Sequence, residues 1–208
     1  MIQLLNINKS FGQKTILSDM SLIINENEFV CITGESGAGK TTLLNIMGLL
    51  EKPDNGKIII NEKENFTKKD ILRLRREFFG YIFQDYLLLS DITVKENICI
   101  SNYKSKKNYI NNINEVLQKT GLNTNYLDKK VWCLSGGEKQ KVAIARMMLK
   151  QYKLVLADEP TGNLDYKNKM EIIELFKKIK KEGKTIVCVT HDKDVVSSAD
   201  RVIHLTKI

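Results

Sequence analysis

The sequence predicts an α/β fold, with a mostly parallel sheet covered by helices, an antiparallel β unit ahead of it and a helical stretch inserted into it. Three observations carry that expectation. From residue 153 onward apolar strand-like runs alternate with helical ones: strand 153–158, helix 166–182 stopped by Gly183, strand 185–190, a short helix 194–198 and strand 201–206. Such alternation places strands side by side in parallel with helices on the sheet faces. The run Phe29-Val30-Cys31-Ile32-Thr33 is continuously apolar and β-branched, as a strand covered on both faces should be, and it leads through glycines into a helix over 41–48. Between residues 93 and 150 the strand signals vanish and helical ones take over, including 111–120, which ends at Gly121, and 137–150.

The remaining elements follow in order. Alternation of apolar and polar residues over 2–7 and 20–24, with Gly12 in a turn between them, predicts two half-buried antiparallel strands. Pro53-Asp54-Asn55-Gly56 is a turn signal that opens a strand over 57–61. Thr67 and Asp70 have capping-box spacing and begin a basic helix that runs to Arg76, and Gly80-Tyr81-Ile82-Phe83-Gln84 reads as a further strand. The organisation expected is one domain over 1–208, with a core of about 1–92 and 151–208 and a helical subdomain of about 93–150.

Composition narrows the function classes. The 208 residues include 33 Lys plus Arg against 25 Asp plus Glu, for a net charge of +8, with 42% hydrophobic residues and two prolines. A chain of this kind closes a real core and is neither disordered nor collagen-like. No stretch reaches the roughly 18 to 20 apolar residues of a membrane-spanning helix, and the N-terminus lacks a basic segment followed by an apolar run, so a cytosolic location is expected. Cys31, Cys99, Cys133 and Cys188 are scattered without metal-ligand spacing, which predicts reduced, mostly buried thiols. Trp132 reads as a packing anchor, and Lys177, Lys178, Lys180 and Lys181 as a solvated helix end rather than a nucleic-acid surface.

Three motifs carry chemistry. Gly34-Glu35-Ser36-Gly37-Ala38-Gly39-Lys40-Thr41 matches G-x-x-x-x-G-K-[ST] at every fixed position. Its glycines let backbone N–H groups wrap phosphate oxygens, Lys40 supplies a point charge for the β- and γ-phosphates, and Thr41 offers a hydroxyl to Mg²⁺. Thr42 continues into a helix whose positive end faces the anion. Leu154-Val155-Leu156-Ala157-Asp158-Glu159 is an apolar strand closing on two acids. Strand alternation turns the two carboxylates opposite ways, Asp158 toward a metal and Glu159 toward an attacking water. Ser135, Gly136, Gly137 and Glu138 open the helix that follows Leu134, presenting either a plain N-cap or a second anion site.

Leu134-Ser135-Gly136-Gly137-Glu138, followed by Lys139-Gln140-Lys141-Val142-Ala143-Ile144-Ala145-Arg146, resembles the signature motif of ABC (ATP-binding cassette) ATPases, and the resemblance spans essentially the whole chain. It implies a phosphate-loop NTPase core, with ATP and Mg²⁺ as ligands and no other metal. It further implies that Phe11 stacks on adenine, that Gln84 touches Mg²⁺ and couples nucleotide to a membrane partner, that Asp165 belongs to the D-loop of Gly162-Asn163-Leu164-Asp165, and that His191 contacts the γ-phosphate. Two copies would sandwich two ATP molecules head to tail, each phosphate loop facing the partner's Ser135, Gly136, Gly137 and Glu138. Gly-Asn-Leu-Asp and the Thr93-Val94-Lys95-Glu96-Asn97-Ile98 segment resemble the macrolide-exporter and lipoprotein-release branch, to which cassettes of bacteriocin export are similar. The expectation is therefore the ATPase subunit of an export-type transporter, peripheral on the inner face of the cell membrane, acting on an integral-membrane permease and not on nucleic acid. The alternative is an ATPase that drives a membrane mechanotransducer controlling cell-wall hydrolysis.

Overall fold

A computed structural model describes residues 1–101 and 109–208. The part of the helical expectation that falls on 102–108 lies outside the described residues. β1 (Ile2–Phe11) and β2 (Lys14–Ile24) form an antiparallel hairpin turned at Gly12, and β4 (Asn55–Ile60) pairs with the other edge of β1. Both hairpin strands run further than the alternation predicts. Register shifts after Leu4, Ile7 and Lys9 break the period of two, so only the regular half carries a readable pattern.

The second sheet has five strands, all parallel, in the order β5 (Phe79–Ile82), β6 (Leu154–Asp158), β7 (Thr185–Val189), β3 (Phe29–Gly34) and β8 (Arg201–Leu205). Its central strands are buried on both faces. Val30, Ile32, Leu154, Leu156, Val187 and Val189 face one core, with α1 (Lys40–Met47) and the antiparallel sheet. Phe29, Cys31, Val155, Ala157, Ile186 and Cys188 face another, which is closed by α6 (Tyr166–Lys181). Each such aliphatic side chain contributes about 1.5–3 kcal/mol by leaving water, which is why these strands read as unbroken apolar runs.

A third core joins α3 (Val94–Cys99), α4 (Tyr109–Thr120) and the inner face of α5 (Gly136–Met148), through Val94, Ile98, Leu117, Val142 and Ala145. α3 begins at a capping box made by Thr93 and Glu96. The other flank of α5 carries Ile144 and Met147 into the core beside α6. The basic helix α2 (Lys68–Glu77) starts at the Thr67 and Asp70 capping box, and α7 (Lys193–Ser197) follows β7.

Three expectations change. β5 ends at Ile82, so Gln84 stands in the loop beyond it. Trp132 is 62% exposed rather than a packing anchor. It lies in a 3-10 turn, Val131–Cys133, in which Val131 and the following Leu134 point inward, so the indole between them points out. The same turn leaves Cys133 exposed, whereas Cys31 and Cys188 are buried register partners on β3 and β7, and burial pushes the Cys188 thiol pKa up.

Phe176 on α6 is fully buried and meets Phe29 edge to face at 6.0 Å. Phe176→Ala should destabilise the protein by about 3–5 kcal/mol, measured as a fall in the urea midpoint with little change in slope.

Candidate nucleotide-binding site

The glycine loop leaves β3 at Gly34, whose φ of +143° and close approach to β8 exclude any side chain: a Cβ there would stand 2.1 Å from the Leu205 carbonyl oxygen. Gly39 (φ +90°) ends the loop against Ile16 of β2, where a Cβ would meet the Ile16 side chain at 2.8 Å. Between them Gly37 (φ +79°) faces open space, and Ala38 is buried with its N–H donating to the Glu35 carbonyl at 3.2 Å. Lys40 Nζ curls over the loop and donates to the carbonyls of Gly34 (2.9 Å) and Glu35 (2.8 Å). The result is a backbone concavity with a fixed cation at its mouth, at the N-terminus of α1, as a phosphate chain requires.

Parallel register sets the other groups at the same level. Asp158 pairs with Val189 and Val189 with Ile32, so β6 and β7 end together, and β3 runs two residues further, to Gly34 beside β8. The Thr41 hydroxyl donates to Asp158 Oδ2 at 2.9 Å. Burial pushes the Asp158 carboxyl above its ordinary pKa, the Thr41 hydrogen bond opposes this, and the neighbouring Glu159 carboxylate adds to it. A hydroxyl beside a partly desolvated carboxylate is a hard oxygen donor pair of the kind Mg²⁺ takes together with substrate phosphates.

Glu159 does not continue the strand. It adopts φ +42°, and its N–H donates to the Val189 carbonyl at 2.8 Å. A left-handed non-glycine residue costs roughly 1–2 kcal/mol, and the carboxylate of this one meets His191. Glu159 Oε1 meets His191 Nδ1 at 2.9 Å, while Oε2 is buried with no hydrogen-bond partner. The strand alternation expected from sequence is therefore replaced by a backbone turn.

The cleft formed by these parts holds about 690 Å³. It is lined by Gly34, Ser36, Gly37, Gly39, Lys40, Thr41, Thr42, Gln84, Asp158, Glu159 and His191, with Phe11, Lys14 and Ile16 of the hairpin at one rim and Gly162, Asn163 and Val189 at the other. Phe11 is 52% exposed there, and Lys9 Nζ stands 5.0 Å from its ring centroid. Lys14, Ile16 and Val189 escape sequence reasoning because strand pairing alone brings them to the cleft.

Ser135, Gly136, Gly137 and Glu138 do not line this cleft, nor does Asp165. Ser135 caps α5, with its Oγ accepting from Glu138 N at 3.3 Å and Glu138 Oε2 accepting from Ser135 N at 2.7 Å. The Tyr126 hydroxyl donates to Glu138 Oε1 at 2.6 Å and is the main cause of the lowered Glu138 pKa. Asp165 caps α6 and holds Asn168, whose side chain fills the space a Cβ on Gly137 would need. The signature segment thus sits on the D-loop of its own chain, away from its own phosphate loop.

Fold and site together define a phosphate-loop nucleotide-binding protein. The chain belongs to the ABC transporter family, whose model matches residues 17–162, and it is an ATP-binding cassette with ATPase activity. It is 43% identical over 210 residues to the "Macrolide export ATP-binding/permease protein MacB" of Campylobacter jejuni, covering 99% of this chain and 33% of that protein. The chain thus spans about a third of the length of that relative. It is 41% identical over 212 residues to the "Lipoprotein-releasing system ATP-binding protein LolD" of Rickettsia bellii, covering 98% of this chain and 94% of LolD. Among solved structures it resembles the dimeric post-hydrolysis state of the ATP-binding cassette MJ0796 bound to ADP and Pi, with a TM-score of 0.90 and 35% identity over 99% of this chain and 94% of that one.

Because the Asp158 pKa is raised in the folded state, its carboxylate disfavours folding once the pH exceeds the ordinary carboxylate value, and the cost disappears in acid. Asp158→Asn should therefore raise Tm at about pH 7, with a gain that shrinks toward about pH 4, as differential scanning fluorimetry across that range will show.

Proposed function

We propose that the chain is the ATP-hydrolysing subunit of an export-type ABC transporter, working as a nucleotide-sandwich homodimer beneath an integral-membrane permease. The single observation that carries this reading is the separation of Ser135, Gly136, Gly137 and Glu138 from the cleft of their own chain. An anion site at the start of α5 that does not reach its own phosphate loop is available to a second copy. The dimeric form of the MJ0796 cassette supports that assembly.

In this reading Phe11 stacks on adenine, while the loop from Gly34 through Glu35, Ser36, Gly37, Ala38 and Gly39, with Lys40, Thr41 and Thr42, holds the phosphates. Thr41, Asp158 and Gln84 would hold Mg²⁺, which would neutralise charge on the bound phosphates. Glu159, whose carboxylate lines the cleft, takes the proton of the attacking water. His191 fixes Oε1 of Glu159 and reaches the γ-phosphate from the exposed side of the cleft. Asp165 and the signature residues act across the dimer, so closure around ATP completes each site. The core of about 1–92 and 151–208 binds nucleotide, and the helical subdomain of about 93–150 presents the signature.

The names of MacB and LolD support export of a macrolide-like drug or release of a lipoprotein. No helix among the described residues is long and apolar enough to cross a membrane.

Glu159→Gln should lower turnover by about 10²–10⁴-fold while leaving ATP binding intact, and should trap the dimer in ATP and Mg²⁺. Light scattering coupled to size exclusion reads the dimer; a variant that stays monomeric with ATP bound would contradict the sandwich.

A further inference from the structure

The loop that carries Gln84 is held in an unusual conformation. Tyr86 and Leu87, two and three residues past Gln84, both have left-handed backbones, with φ of +59° and +46°. Neither is a glycine, and Leu87 is 55% exposed, so its own packing does not stabilise the turn. Short backbone bonds close it, from Tyr86 N to the Phe83 carbonyl at 3.0 Å and from Leu87 N to the Asp85 carbonyl at 2.5 Å. The two carbonyls of the strained residues then point the same way, and one guanidinium takes both: Arg146 donates through Nη1 to the Leu87 carbonyl at 2.5 Å and through Nη2 to the Tyr86 carbonyl at 2.8 Å.

Arg146 lies in the last turn of α5, the helix whose first turn bears the signature residues. The same loop reaches that other end as well, since the Tyr86 hydroxyl stands 3.2 Å from where a Cβ on Gly136 would be. The Gln84 loop is thus bonded to the last turn of one helix and lies close to its first turn, about 15 Å away along the axis. A planar fork matches two parallel carbonyls in a way that a lysine ammonium cannot.

We propose that Arg146 is a positioning residue for Gln84, its guanidinium fork holding the left-handed turn at Tyr86 and Leu87 and so fixing where the glutamine stands in the cleft as α5 moves. The proposal rests on the assignment of Gln84 to the chemistry of the cleft. Arg146 itself touches neither nucleotide nor metal. It transmits the position of the signature helix to the site of its own chain.

The test compares variants of the purified chain by hydrogen exchange and by steady-state hydrolysis of ATP with Mg²⁺. Arg146→Met should raise exchange over residues 83–89 by about tenfold while β6 and β7 keep their protection, and should lower kcat about tenfold with KM for ATP changed less than about twofold. Arg146→Lys should fall between it and the natural chain, and it carries the test if Arg146→Met does not fold. Leu87→Gly added to Arg146→Met should recover at least about half of the lost kcat, because glycine takes a left-handed backbone without a bond to hold it. Gln84→Ala serves as the reference, with lowered kcat and natural exchange in β6 and β7. Unchanged exchange and kcat in Arg146→Met and Arg146→Lys, with Gln84→Ala impaired, would overturn the positioning role alone. Loss of protection across β6 and β7 without recovery by Leu87→Gly would overturn it in favour of a purely structural arginine. An unimpaired Gln84→Ala would overturn the assignment of Gln84, and this proposal with it.

Discussion

The register of three parallel strands is the constraint on which the rest of the molecule depends. Ile32 pairs with Val189 and Val189 with Asp158, so β7 and β6 stop at one level and β3 runs two residues past it, to Gly34. Beyond these strand ends the chain builds with irregular backbone. It builds the glycine loop from β3, the Asp158 and Glu159 pair from β6 and the His191 loop from β7. Two cross-strand bonds lock these exits together: Glu159 N to the Val189 carbonyl at 2.8 Å and Thr190 N to the Ile32 carbonyl at 3.2 Å. A slip of one residue in any strand would carry a buried apolar side chain to the wrong core and move a cleft-lining group by a full strand step. Packing on both sheet faces therefore protects the geometry of the site.

The second half of the chemistry is held by different physics. Ser135 and Glu138 satisfy each other in a capping box, Tyr126 braces Glu138, and Asn168, fixed by Asp165, leaves no room for a side chain on Gly137. Nearby, Lys169 of α6 joins Asp192 and Asp194, and the Thr161 hydroxyl donates to Asp192 at 3.2 Å, so the segment after Glu159 and the segment after His191 share one polar network. The signature is thus seated on the D-loop, the D-loop is tied to the histidine loop, and the Gln84 loop is tied to the last turn of α5. A change at the nucleotide has continuous routes to the helical part of the chain.

Much of this was legible in the sequence, for reasons that differ by element. The buried strands showed themselves as unbroken apolar runs, and the glycine loop as a spacing that few other structures need. Thr67 with Asp70 announced a helix start, whereas the Thr93 and Glu96 capping box that opens α3 emerges only in the structure. What escaped was whatever depends on bulges, strain or burial of neighbours. The second half of the hairpin was masked by register shifts, the turn of Glu159 by its left-handed backbone, and the exposure of Trp132 by the inward pull of Val131 and Leu134. Lys14, Ile16 and Arg146 reach the site or its loops only through tertiary pairing, which no local pattern reports.

The central claim is that each nucleotide site draws one half from each of two chains, and mixing two inactive variants tests it most directly. Lys40→Ala spoils the phosphate loop and leaves the signature, whereas Ser135→Arg does the reverse. In a mixed dimer one site combines both lesions and the other has neither. Equal mixing should therefore restore up to about a quarter of the natural ATPase rate, given random pairing in a two-fold assembly, from two proteins that are each inactive alone. A mixture no more active than its separate components, with mixed dimers shown to form, would contradict the account.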